Sequence, residues 1–223
     1  IGFGEKNDWR AEKIRLDKNG ATYSVAALCE RRELNDKVRR SQTAATKSDL
    51  SGEYRINLLG RHQVANALFA IAVGAELNLS REEIENGLRD CKPPKMRMNF
   101  WESNGVRVRA DASTAQADST VAALETLCDL PLQGRRVAVL GDMGELGAHS
   151  EAAHEELGRH AAELKIGQLF AVGKMAPVVA KAARDAGLTR VIEFENVEAA
   201  VKAIKNFLKA GDVVLLKASR SAR

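Results

Sequence analysis

Cysteine is scarce: Cys29, Cys91 and Cys128 are the only three in 223 residues. Odd in number, widely spaced and without a C-x-x-C pair, they exclude a disulfide framework and a cysteine-rich zinc site, and a reducing cytoplasm is the expected location. No apolar run approaches the roughly 18 residues that cross a bilayer, and the opening IGFGEKNDWR lacks the apolar centre of a signal peptide, so no membrane partner is expected. Charge of one sign is missing too. With 34 basic and 30 acidic residues the net charge is +4, too balanced to point to nucleic acid although it leaves room for local anion sites.

Two phosphate-binding signatures are also absent. Without a G-x-x-x-x-G-K-[ST] loop the chain lacks the part of an ATP site that cradles the β- and γ-phosphates. No G-x-G-x-x-G opens the first βα unit, which leaves hydride transfer without its fingerprint. The chain begins without methionine, Ile1 enters in mid-pattern and SRSAR stops just after a strand, so a piece of a longer protein is expected.

What is present is an ordinary globular composition, 45% hydrophobic and 29% charged, long enough for one large or two small domains. The organising stretch is Arg135–His154, RRVAVLGDMGELGAHSEAAH. Val137–Leu140 is a short continuous apolar run, suited to a strand buried on both faces of a parallel sheet. A glycine-rich acidic turn follows, and Ser150 is the predicted N-cap of a helix carrying Ala152, Ala153, Leu157 and Ala161.

Around that stretch, Trp9–Val25 alternates apolar and polar residues about a turn at Lys18–Gly20, which predicts a β-hairpin. Glu30–Ser51 is charged and aperiodic and is predicted to be a solvated loop. Tyr54–Leu59 predicts a strand, and Val64, Ala67, Leu68, Ile71 and Ala72 a helix ending near Gly74 or soon after it. Ser80 with Glu83 forms a capping box for a second helix, stopped by Lys92, Pro93 and Pro94, where a domain boundary is placed. Met98–Trp101 and Val106–Ala110 flank an Asn-Gly turn, and Asp111–Ser119 reads as a loop before a helix from Ser119 to Leu127. Strand and helix then alternate to Val213–Leu216, predicting an α/β fold with a doubly wound, mostly parallel sheet.

In such a sheet the loops Asp111–Ser119, Gly141–Gly147 and Lys217–Arg220 converge on one crevice. Asp111 is suited either to orient a ribose hydroxyl or metal-bound water, or to cap its own loop. Asp142 and Glu145 are suited to a substrate ammonium or to backbone amides. Lys217, Ser219 and Arg220 offer donors for a carboxylate or phosphate. His62, beside Arg61 and before Asn66, is placed to contact a flat base or to cap its helix. His149, His154 and His160 lack metal-ligand spacing and read as structural or exposed.

Taken together and in this order, GRHQVANAL at Gly60–Leu68, KMRM at Lys95–Met98, DASTAQADS at Asp111–Ser119, GDMGELG at Gly141–Gly147 with its following S-E-x-x-H, and KASRS at Lys217–Ser221 resemble the Mur ligases. The resemblance is closest to members that add D-alanyl-D-alanine to UDP-N-acetylmuramoyl-tripeptide. It implies that residues 1–92 end a central ATP-binding domain and that 93–223 form a Rossmann-like C-terminal domain. It also implies ATP and Mg2+ as cofactors, an acyl-phosphate route, and a monomer acting on small molecules. By the same resemblance His62 and Asn66 lie near adenine, Arg97 and Asp111 on the nucleotide, and Thr114, Asp142, Lys217, Ser219 and Arg220 at the substrate.

The family pattern GxHNxxNA, KGRM, DDxYNANPxS and KGSR is altered here at Gln63, Met96, Ala110, Ser113, Thr114, Gln116, Ala117 and Ala218. Most of these fall in ligand-facing loops. A competing reading is therefore a degraded or engineered binding or scaffold module on the same fold, and a third is a dehydrogenase. On the leading reading the isolated chain is expected to be inactive, for want of the phosphate loop and the UDP-sugar domain.

Overall fold

The computed structural model describes residues 1–17, 19–27, 50–92, 99–111, 115–130 and 134–219. By contacts the chain divides into two units, Ile1–Lys92 and Pro93–Arg223.

In the first unit β1 (Trp9–Leu16), β2 (Ala21–Ala27) and β3 (Gly52–Ile56) form an antiparallel sheet in that order. Strand alternation sends Trp9, Ala11, Tyr23, Val25, Tyr54 and Ile56 to one side. There they meet Val64, Leu68 and Ile71 of α1 (Arg61–Glu76) and Ile84 and Leu88 of α2 (Arg81–Asp90). The hairpin turn is held by Asp17, whose carboxylate accepts from the amides of Asn19 and Gly20 and pairs with Arg55 at 2.7 Å.

The Ser80–Glu83 capping box forms as predicted. The strand expected at Tyr54–Leu59 instead spans Gly52–Ile56, while α1 ends at Glu76, soon after Gly74 as expected. Gly74 serves both the helix end and packing: its carbonyl accepts from the Leu79 amide at 2.9 Å, and a Cβ there would stand 2.9 Å from the Ile84 side chain of α2. On the opposite side of α1, Phe69, Val73 and Leu77 are exposed. The loop predicted over Glu30–Ser51 falls almost wholly outside the described residues.

The second unit is a six-stranded sheet. Its chain order is β4 (Asn99–Ser103), β5 (Val106–Asp111), α3 (Ala117–Asp129), β6 (Arg136–Gly141), α4 (Ser150–Glu163), β7 (Gln168–Val172), α5 (Ala176–Asp185), β8 (Val191–Phe194), α6 (Val197–Phe207) and β9 (Val213–Lys217). In space the order is β4-β5-β9-β6-β7-β8, parallel throughout except for β4. The β4–β5 hairpin turns at Asn104 and Gly105, both at positive φ (51° and 73°), as the Asn-Gly pair predicts.

Leu124, Leu127, Leu157 and Val179 from α3, α4 and α5 pack on Ala138, Leu140 and Leu215. Ile204 and Phe207 of α6 pack with Val137, Phe170 and Val214. No helix among the described residues is long and apolar enough to cross a membrane.

Two predicted helix starts are corrected. α3 begins at Ala117 rather than Ser119, because the hydroxyls of Ser119 and Thr120 both donate to the Gln116 carbonyl and draw the first turn inward. Ser150 is not an N-cap: its φ and ψ (−58°, −49°) are already helical, behind a 3-10 turn over Gly147–His149. That turn gives the His149 amide the Leu146 carbonyl, so the chain enters the helix through backbone bonds.

At the opposite edge from these loops, Arg135 and Asp212 join the starts of β6 and β9. Two parallel bonds of 2.9 and 2.6 Å link them, and the guanidinium also lies 4.3 Å from the Phe207 ring centroid and donates to the Phe207 carbonyl. Burial pushes the Asp212 carboxyl up, but bonds from Arg135 and the Lys209 amide outweigh it, and its pKa lies below the ordinary value. A depressed folded-state pKa gives stability that is present above the unfolded pKa and is lost as pH falls through the folded one. Asp212→Asn is therefore expected to cost about 2 kcal/mol in urea melts at pH 7. The gap from wild type should close below about pH 4, and a gap independent of pH would contradict the assignment.

Candidate functional site

Because β9 inserts between β5 and β6, the loops after all three strands leave the same edge of the sheet. The parallel register sets Asp111 directly beside Lys217. Their side chains pair at 3.1 Å with only 13% and 1% exposure. Neither charge can be removed cheaply at such burial, since the survivor would stay uncompensated.

Arg109, on the same face of β5 as Asp111, is fully buried; burial pushes its guanidinium down to about 10, against the charge of Asp111. Sequence reading passed over Arg109, because an arginine alternating with valines in R-V-R-A-D reads as a solvent-facing position. Its neighbour across the ladder, Leu215, belongs to the core shared with α3.

The turn after β6 gathers its neighbours. Asp142 spends its carboxylate on backbone, accepting from the amides of Lys174 and Met175 at 3.0 Å each, at the start of α5. Of its two predicted uses, substrate ammonium or backbone amides, this structure has the second. Its carbonyl accepts from the Ser219 amide at 3.3 Å, and the Gly144 amide donates to the Ala115 carbonyl at 3.0 Å. Gly173 makes room for this arrangement: its φ is 114°, and a Cβ there would lie 2.7 Å from an Asp142 carboxylate oxygen.

His154 closes the turn from α4. Only 1% exposed, its Nε2 accepts from the Met143 amide at 3.0 Å and its Nδ1 lies 2.7 Å from the Ser150 carbonyl. These partners assign the proton to Nδ1. They also explain the S-E-x-x-H spacing, which places the imidazole one helical turn after Ser150.

In the first unit, His62 is the second residue of α1, so it does not cap the helix; Gly60 is the N-cap. His62, Gln63 and Asn66 form a chain of side-chain contacts of 3.2 Å each. They present an amide-and-imidazole edge able both to donate and to accept. Arg97, Thr114 and Arg220 lie outside the described residues. Glu145 is exposed, with φ of 63°. His149 is exposed, and His160 lies beside Glu125 and Glu163. A groove of about 530 Å³ opens elsewhere, between α4 and α5, lined by Glu155, Arg159, Lys181 and Asp185. It contains none of the predicted site residues.

The crevice edge thus offers a carboxylate fixed by a buried ammonium, next to a turn clamped by backbone bonds. Asp142→Asn turns one accepting oxygen into a donor that faces an amide. Gly173→Ala forces a side chain into the same place at positive φ. Each is expected to lower stability by roughly 1–3 kcal/mol in thermal or urea unfolding. An unchanged midpoint for both would show that the bonds to Lys174 and Met175 do not hold this turn.

Residues 96–220 match the family model described as Mur ligase, glutamate ligase domain. The UDP-N-acetylmuramoyl-tripeptide–D-alanyl-D-alanine ligase of Bacillus subtilis is 32% identical over 224 residues, covering 100% of this chain and 44% of that protein. The Escherichia coli ligase of the same name is 33% identical over 168 residues, covering 74% of this chain and 36% of its own length. Among solved structures, MurF from Acinetobacter baumannii superposes with a TM-score of 0.78 at 27% identity, over 99% of this chain and 44% of that one. The chain spans less than half the length of these relatives. With more than half of its residues matched by the family model, the chain belongs to the Mur ligase family.

Proposed function

We propose that the chain is part of an ATP-dependent amide-bond-forming ligase that joins D-alanyl-D-alanine to UDP-N-acetylmuramoyl-tripeptide, in the cytoplasm and as a monomer. The observation that carries this reading is the match to the Bacillus subtilis ligase along the whole chain, with the motifs that resemble the family's beginning at the ends of β5, β6 and β9. Residues 1–92 would close the central ATP-binding domain and 93–223 would form the C-terminal domain.

In this reaction the peptide carboxylate takes the γ-phosphoryl group of ATP, releasing ADP. The dipeptide amine then attacks the acyl phosphate, releasing phosphate and leaving an amide. Magnesium, when bound, would neutralise phosphoryl charge. Among the described residues no cluster of three or more His, Cys, Asp or Glu is built to hold a metal ion, so no protein ligand is assigned to it.

This chain's own contribution is binding and orientation. In the first unit, His62 and Asn66 are proposed for the adenine. In the second, Arg97 and Asp111 are proposed for the nucleotide, and Thr114, Asp142, Lys217, Ser219 and Arg220 for the substrate side. Two of these act at one remove. Lys217 is buried on Asp111 and so fixes the carboxylate, and Asp142 shapes the turn through backbone bonds.

A second reading, a scaffold module, is favoured by the replacement of the family residues at Ser113, Thr114, Gln116 and Ala117. The chain incubated with ATP, UDP-N-acetylmuramoyl-tripeptide and D-alanyl-D-alanine is expected to release no ADP above background, and measurable turnover would overturn the claim that it is incomplete. Restoring Tyr, Asn, Asn and Pro at positions 113, 114, 116 and 117 is expected to strengthen nucleotide or dipeptide binding in calorimetry. No gain would favour the scaffold.

A further inference from the structure

We propose that His154 is the positioning residue of the crevice, holding in register the turn to which the loops after β5, β7 and β9 are all tied. The claim rests on the ligase reading only for the identity of the ligand.

Three loops reach the Gly141–Leu146 turn through separate bonds: Ala115 through the Gly144 amide, Ser219 through the Asp142 carbonyl, and Lys174 and Met175 through the Asp142 carboxylate. The turn needs an outside anchor. It contains Glu145 in the left-handed region, a conformation that an L side chain holds only where surroundings impose it. Its Met143 side chain is buried in the core, while Leu146 packs there only partly buried.

His154 supplies the anchor. Its helix is seated in the core by Leu157 and Ala161, each at most 2% exposed, so the imidazole stands on a rigid element. Each ring nitrogen has a distinct partner: Nε2 takes the Met143 amide at 3.0 Å and Nδ1–H gives to the Ser150 carbonyl at 2.7 Å. Burial requires that both nitrogens be satisfied, and here the partner of Nε2 is the backbone of the turn itself. Met143 stands between Asp142 and Gly144, the two residues that hold all three loops, so one bond at its amide fixes the whole turn. Displacement of a site by about 1 Å can cost on the order of 100-fold in rate, which makes such an anchor consequential.

Three variants separate the bonds. His154→Leu keeps apolar bulk and removes both. His154→Gln places a carboxamide oxygen where Nε2 stood, and His154→Asn reaches only toward Ser150. In amide hydrogen exchange of the chain by NMR, Leu and Asn are expected to lose roughly tenfold protection together at Met143, Gly144, Lys174, Met175 and Ser219. Leu169 and Ala171 in β7 should be unaffected, and Gln should restore the five amides.

Titration with D-alanyl-D-alanine is expected to follow the same order, weaker with Leu and Asn and recovered with Gln. Loss confined to Met143, or no recovery with Gln, would overturn the proposal. So would a nitrogen-15 signature placing the His154 proton on Nε2. If the Leu variant does not fold, the contrast between Gln and Asn decides. If the wild-type chain binds no dipeptide, the ligand reading fails, and the exchange pattern alone decides the positioning role.

Discussion

The Asp111–Lys217 ion pair exists only because two strands separated by most of the second unit's sequence become parallel neighbours. Its burial makes it a constraint as well as a contact. A carboxylate and an ammonium withdrawn from water tolerate little change in separation, because loss of either leaves the other without solvation or partner. The ends of β5 and β9 are therefore held in one register, and Arg109 adds a second buried cation on the same face. The staple of Arg135 and Asp212 joins β6 to β9 at the opposite edge, so the central strand is fastened at both of its ends.

From that edge outward, control passes from side-chain charge to backbone bonding. Asp142 is acidic and stands where a ligand contact was expected, yet its carboxylate completes the start of α5 instead. The positive end of a helix and two otherwise unsatisfied amides are good partners for a carboxylate. His154 does the corresponding work on the α4 side. Two residues whose types suggest chemistry are thus employed in shape.

Much of the fold was legible in the sequence because its signals are local. The continuous apolar run at Val137–Leu140, the Asn-Gly turn at Asn104–Gly105 and the capping box at Ser80–Glu83 each depend on neighbours within a few residues. The departures fall at the ends of elements. The strand expected from Tyr54 begins at Gly52 and stops at Ile56. Ser150 looks like an N-cap, but a preceding 3-10 turn had already supplied the helix entry.

What the sequence by itself determined was the kind of element at each position, the convergence of three loops on one edge, and the family, through motifs spaced along the chain. Only the tertiary structure decided which polar residues of that edge face one another. The pairing of Asp111 with Lys217, the burial of Arg109, the capture of Asp142 by the amides of Lys174 and Met175, and the bond from Met143 to His154 all depend on which strands become neighbours. Strand order arises from burying apolar faces on both sides of a sheet, a sum over the whole unit. No single segment carries that sum, so the partners of each charge could not be read from the residues around it.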